Sequence, residues 1–198
     1  MDLIKSTIEG HTAYGGATPL EGWTQSLTHL FFPHNFHVSD RILLYIAQRT
    51  PKLNFIVLNS SNEITRSGFS KAIAHWKQVK FIILGPIDGG CDVDLIGEMG
   101  KNWKMLEHLN IHIDNFVVDR DNSIVIAKNF PGLLSLGFWH SSIYKSGINT
   151  ILHNCKELIF VRIEGCMLMD EKNGSRKKAG IRDFIEWSAM KVRFKVPT

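Results

Sequence analysis

A short apolar phrase returns six times along this chain in the form apolar-x-x-apolar-x-apolar. Its members are Leu27, Leu30, Phe32; Leu53, Ile56, Leu58; Val79, Ile82, Leu84; Leu106, Leu109, Ile111; Leu133, Leu136, Phe138; and Leu158, Val161, Ile163. The first positions are separated by 26, 26, 27, 27 and 25 residues. Each phrase is too brief for a helix and suits a strand with both faces partly buried.

A helical stretch precedes each phrase. Ser39, Thr65, Asp92 and Asp119 stand 14 residues before the first apolar residue of their phrases. Their side-chain oxygens suit the exposed N–H groups of a first helical turn. In the shorter last repeat Ser146 is the candidate cap. Apolar residues then recur at helical spacing, as in Leu43, Ile46 and Ala47 or Ile148, Ile151 and Leu152. Asn102, Asn129 and Asn154 fall four residues before a phrase, where Asn can end a helix in the left-handed conformation. Eight residues after each first apolar position come Asn35, Ser61, Ile87, Asp114, Ser141 and Cys166. All but Ile87 are small or polar, which suits residues that satisfy turn backbone between coils. Cys166 is therefore expected to be a structural turn residue, and Cys155 a buried helix end.

A fixed period of this length around such a core predicts an α/β fold, a right-handed leucine-rich-repeat solenoid of about six repeats. A parallel concave sheet would be backed by outer helices. Terminal repeats need covers. Residues 1–23 would supply an irregular first cap to a repeat domain spanning 1–170. Segment 171–198 would form a basic tail whose Ile181, Phe184, Ile185 and Trp187 make a capping helix.

Alternation along a strand predicts which residues face the concave surface. Counting from each first apolar residue, they stand at +2, +4 and +6. Phe31, Phe55, Val57, Phe81 and Ile83 would form one apolar patch in the first half, a feature that marks partner surfaces. His108, Asn110, His112, Trp139, Phe160, Arg162 and Glu164 follow in the second half. His112 should lie beside Trp139, with Arg162 and Glu164 one strand further on, an aromatic and charged set of the kind that anchors partners. His108 and His112 are about 13 Å apart on a strand, too far to share a metal. No metal or cofactor is expected.

Composition narrows the function further. The apolar fraction is 44% over 198 residues, ample for one core. No run of 18 to 20 apolar residues suggests a membrane span, and the first 16 residues lack the pattern of a secretory signal. Cys91, Cys155 and Cys166 form neither a CxxC nor a disulfide framework, which points to a cytoplasmic or nuclear setting. The net charge of +4 comes from residues 170–198, with eight basic and four acidic residues; the preceding 169 balance at 15 against 15. A neutral repeat body argues against a nucleic-acid groove along it. The run Arg176-Lys177-Lys178 is expected to be a solvated linker. No nucleophile–His–acid set, Walker loop, GxGxxG or HExxH occurs, so no enzymatic activity is expected.

The phrases NFPGLLSLGFWHSSIYKSGINTILHNCKELIFVRIEGC (129–166) and VSDRILLYIAQRTPKLNFIVLNSSNEITRSGFSKAI (38–73) resemble the cysteine-containing repeats of plant F-box/leucine-rich-repeat proteins. The likeness covers roughly residues 20–170. It implies a domain that holds a protein substrate for an SCF-type ubiquitin ligase and its degradation. In that family an F-box of about 45 residues binds a Skp-type adaptor and, through it, a cullin. Here no L-P-x-[DE] opening and no V-C-x-x-W-R phrase is present, so the resemblance implies the substrate-binding half, with adaptor and cullin joining only if an F-box is supplied elsewhere. The rival expectations are a free-standing scaffold acting as decoy or inhibitor, and weak nucleic-acid binding through the basic tail.

Overall fold

The computed structural model describes residues 25–32, 37–58 and 63–179 and the backbone of 193–195. The elements run β1 (His29–Phe32), α1 (Asp40–Ala47), β2 (Phe55–Leu58), α2 (Arg66–Ile73), β3 (Phe81–Leu84), α3 (Val93–Asn102), β4 (His108–Ile111), β5 (Val117–Val118), α4 (Arg120–Asn129), β6 (Ser135–Trp139), β7 (Ser142–Tyr144), α5 (Lys145–Asn154), β8 (Phe160–Glu164), β9 (Met167–Met169), β10 (Arg176–Lys178) and β11 (Arg193–Lys195).

Six strands follow the six apolar phrases and pair in parallel, each with the next coil, in the order β1-β2-β3-β4-β6-β8. A seventh, β11, joins in parallel beside β8. Strand entry is built the same way in successive coils: two amides converge on one carbonyl of the coil before. Asn54 and Phe55 donate to Thr28 O, Glu107 and His108 to Lys80 O, and Ile159 and Phe160 to Leu134 O. These bonds pin the register, since a slip of one residue would turn every apolar side chain to the wrong face.

The phrase residues Ile56, Ile82, Leu109, Leu136 and Val161 point inward and are buried against Leu43, Phe69, Ile96, Ile126 and Ile148 of the helices. Each such aliphatic side chain contributes about 1.5–3 kcal/mol on burial. A further inner row stands three residues before each phrase: Thr50, Trp76, Trp103, Phe130 and Cys155, all buried. Trp76 Nε1 donates to Thr50 Oγ1 at 3.0 Å, and Phe69 meets Trp103 edge-on at 6.0 Å. Cys155 is the C-cap of α5, at a buried helix end.

Helix starts follow the caps in part. Thr65, Asp92 and Asp119 accept from Gly68 N, Leu95 N and Asn122 N at 3.1, 3.0 and 2.9 Å. Ser39 is the N-cap of α1 but makes no side-chain cap bond. Ser146 is not a cap: α5 begins at Lys145 after Tyr144, and the Ser146 amide donates instead to Glu171 Oε1 of the next coil at 2.7 Å. Asn102, Asn129 and Asn154 do end their helices, yet as the last right-handed residues. Each amide side chain donates back to the carbonyl four residues earlier, those of Glu98, Val125 and Thr150. The left-handed expectation is corrected: none of the three has a positive φ, and each side chain instead adds a second bond to a carbonyl of its own last turn.

Of the turn positions, Ser141 and Cys166 are buried and Asp114 is exposed, so Asp114 satisfies no interior turn. The Ser141 amide donates to Cys166 Sγ, whose thiol lies 3.4 Å from the carbonyls of Phe138 and Glu164. Burial pushes that thiol up from its ordinary pKa, as expected of a structural cysteine. Asn35 and Ser61 lie outside the described residues, as do the first cap and the helix expected at 181–187.

A second sheet, in the order β10-β9-β7-β5, lines the lead-in to the later helices. Arg176-Lys177-Lys178 is its edge strand β10, antiparallel to β9, and not a linker. The reversal is made by Asp170, which accepts from the amides of Lys172 and Asn173, and by Gly174 at φ 68°. Within segment 171–198, β10 and β11 add a strand to each sheet.

Candidate functional site

Cα register places the candidate residues in continuous rows across the concave sheet. The +2 row reads His29, Phe55, Phe81, His108, Ser135, Phe160; the +4 row reads Phe31, Val57, Ile83, Asn110, Gly137, Arg162. Trp139 is paired with Glu164 further along.

In the first half the +2 rings form a ladder. Phe55 and Phe81 stack at 4.1 Å between centroids and 5° between planes, His29 stacks on Phe55 at 5.2 Å, and His108 tilts against Phe81 at 5.7 Å. The ladder continues through His108 Nδ1 to Ser135 Oγ at 2.8 Å, and Phe160 occupies the next strand of the row. Strands about 4.8 Å apart bring equivalent side chains into contact, so one ring per coil suffices. Beside the ladder Phe31 is 55% exposed and Ile83 is half-buried. Val57 lies between them but is only 2% exposed and belongs to no part of the inner core. It supports the patch and offers no surface of its own, a correction to its expected role.

The second half holds a different cluster. His112 lies 3.8 Å from the Trp139 ring, and the Arg162 guanidinium sits 5.0 Å over that ring while Nη2 and Nε bond Glu164 Oε2 at 2.6 and 3.0 Å. Gly137 makes this possible. A Cβ there would stand 2.3 Å from both the Trp139 ring and Asn110 Oδ1, so the indole lies back along its own strand over a residue without a side chain. Burial, Arg162 and His140 drive the His112 pKa down to about 4 against the opposing pull of Glu164, so this imidazole is neutral near pH 7. Its Nε2 is buried with no hydrogen-bond partner among the described residues. His108 and His112 serve different neighbours, Ser135 and Trp139, and among the described residues no group of three His, Cys, Asp or Glu could hold a metal ion. Among them too, no helix is long and apolar enough to cross a membrane.

Lysine is gathered on one flank in a way that the balanced sum conceals. The turns from helix to strand gather Lys52, Lys77, Lys104 and Lys156, all exposed, on one flank, joined by last-turn Lys71, Lys101 and Lys128. The acids in those turns, among the described residues, are Glu107, paired with Lys80 at 2.9 Å, and Glu157. The opposite flank, where strands lead into helices, carries Asp88, Asp92, Asp94, Asp114, Asp119 and Asp121 in its middle coils, together with Arg120 and with Arg66, which pairs with Asp92 and Asp94, and it ends on Arg176, Lys177 and Lys178 of β10. Cations at helix C-termini and anions at N-termini complement the helix dipoles.

An F-box/LRR-repeat protein of Arabidopsis thaliana is 29% identical to the chain over 141 residues, covering 71% of the chain and 44% of the relative. The fold is a leucine-rich-repeat solenoid. The chain spans less than half the length of that relative. No protein-family profile matches it. Among solved structures, internalin C2 of Listeria monocytogenes aligns with a TM-score of 0.48 at 14% identity, over 92% of this chain and 77% of that one.

Neither the Gly137 seat nor the inner Trp76–Trp103–Phe130 row was singled out from sequence. The row had a signal, an aromatic three residues before a phrase in three successive repeats. Gly137 had none beyond its place in the +4 row.

Proposed function

We propose that the concave sheet is a protein-binding surface and that the chain is the target-holding domain of an F-box-type ubiquitin-ligase receptor of the cytoplasm or nucleus. The observation that carries the binding reading is the continuous surface itself: ring ladder, Phe31 and the Trp139 cluster all project from one face of one sheet. Aromatic side chains and Arg dominate binding energy at such surfaces because they bury large areas at small entropic cost. The likeness to an F-box/LRR-repeat protein supports the ligase part. The role of the fold is positional: it holds the target while an adaptor and cullin, engaged through an F-box, bring the ligase.

The test fuses an F-box to the chain and scores by quantitative proteomics which proteins fall in abundance in cells. A defined set should fall with the native repeats and recover with Trp139→Ala or Phe81→Ala. Loss of the same set with both variants overturns concave binding. A fusion that captures the Skp-type adaptor yet depletes nothing overturns the ligase reading.

A further inference from the structure

We propose that the partner presents a polypeptide segment in which apolar side chains neighbour carboxylates, laid across the coils along the +2 ladder with its acids over the lysine flank. This rests on the concave reading above and names the chemistry of what binds there.

Each helix-to-strand turn delivers the chain directly into the first strand residue, which is the +2 position in β1 through β4 and again in β6 and β8. The lysine flank is therefore the immediate border of the ladder. The helix dipole accounts for cations in a last helical turn, such as Lys101 and Lys128. It does not account for Lys52, Lys104 and Lys156, which stand in the turns beyond the helix ends, nor for Lys77, which stands there too and donates to Asn102 Oδ1 of the next coil. Met105 and Ile159, 50% and 60% exposed, interrupt the same border, so the flank is apolar as well as cationic. At the far end the Cα register sets Arg193 beside Phe160 and Lys195 beside Arg162.

A polyanion such as single-stranded nucleic acid would also meet the lysines, but it binds through bases stacked on open aromatic faces. Here the faces are closed. Phe55 and Phe81 cover each other at 4.1 Å, with His29 and His108 at the two ends, leaving ring edges outward. Edges carry the positive side of the ring quadrupole and pack against aliphatic groups and carboxylates. In the middle coils of the opposite flank Asp88, Asp94, Asp114 and Asp121 are exposed and disfavour a second row of carboxylates, so the carboxylates run along the lysine side of the apolar side chains.

The probe is a displayed random-peptide library panned on the full chain, followed by affinity measurements on the selected peptides and on a 20-residue oligothymidine. Selected peptides should combine Asp or Glu with Leu, Ile or Phe and weaken as salt rises. The double variant Lys77→Glu/Lys104→Glu, its fold checked by thermal melting, should cost at least about tenfold in affinity, as should Phe81→Ala; Asp94→Lys/Asp121→Lys on the far flank should not weaken binding. Peptides without acids, or affinity indifferent to the lysine reversal, overturn this inference while sensitivity to Phe81→Ala preserves concave binding. Indifference to Phe81→Ala overturns both. Tighter binding of the oligothymidine, or a library with no binder, also overturns the acidic-segment partner.

Discussion

The coils of β1 to β3 and those of β4 to β8 are built from the same phrase but are tied together differently. Early coils present rings that touch one another, and their lead-in side carries two single bridges, Ser39 with Glu63 and Thr65 with Asp88. What joins them there is side-chain chemistry: Asp40 accepts from both the amide and the hydroxyl of Thr65 at 2.7 and 2.6 Å, and Arg66 bonds Asp92 at 2.5 Å. Late coils present a charged and aromatic cluster, and their lead-in side is a true sheet through β5, β7, β9 and β10. A repeat array is held by nearest-neighbour interfaces, so the two halves can differ in how they resist perturbation while sharing one core.

The largest effect that sharpens this contrast is inward against outward on one strand. Leu136→Ala, at 1% exposure, should cost about 2–5 kcal/mol because the late coils leave the cavity little room to collapse. Trp139→Ala, three residues on, should cost about 0.5 kcal/mol in the same thermal melt. If the two exchange rank, the concave and core faces are assigned the wrong way round. Next, Cys166→Ala strands the buried Ser141 amide, which should cost about 1–3 kcal/mol by denaturant titration. A smaller loss, about 1 kcal/mol, is expected for Asp40→Ala in the early coils, together with faster amide exchange confined to α1 and α2. Exchange that quickens equally in α4 and α5 would show that the early ties are not local.

The smallest effect is one of pH. With the His112 pKa at about 4 in the fold and 6.5 as the reference, the unfolded chain takes up a proton first, so stability falls as pH drops from 6.5 toward 4. His112→Gln should flatten the melting temperature across that window by a small amount, since the imidazole is only half-buried. An unchanged profile would mean that the ring is more open to solvent than its contact with Trp139 implies.

How much of this was legible follows from which interactions are periodic. The phrase gave strand, register and inward face together, because alternation and a repeat of about 26 residues leave one arrangement that buries Leu30, Ile56, Ile82, Leu109, Leu136 and Val161 in one line. It placed His112 and Trp139 on adjoining strands for the same reason. Alternation states direction and not cover, so it could not foresee that Val57 is almost wholly enclosed. The Asp40–Thr65 tie and the Glu171 bond to Ser146 join residues 25 apart through side chains that vary from coil to coil. The lysine flank was hidden by summing over sequence what the turns gather in space. β10 reads Arg-Lys-Lys and β11 Arg-Phe-Lys, so neither carries the apolar phrase that gave the strand signal in the repeats.

Three of the five described helices carry a glycine where the neighbouring coil comes closest. A Cβ at Gly68 would stand 2.0 Å from the Asp40 carboxyl, at Gly100 2.3 Å from Asn129, and at Gly147 2.2 Å from the Val118 carbonyl. Strands repeat about every 4.8 Å while packed helices ordinarily need 8–10 Å. The mismatch between these two spacings is what bends a solenoid, and every ångström removed on the helical side opens the arc. The glycines therefore act as a setting of curvature: they make the horseshoe shallower, so that a long and nearly straight object can touch the first coil and the last at once.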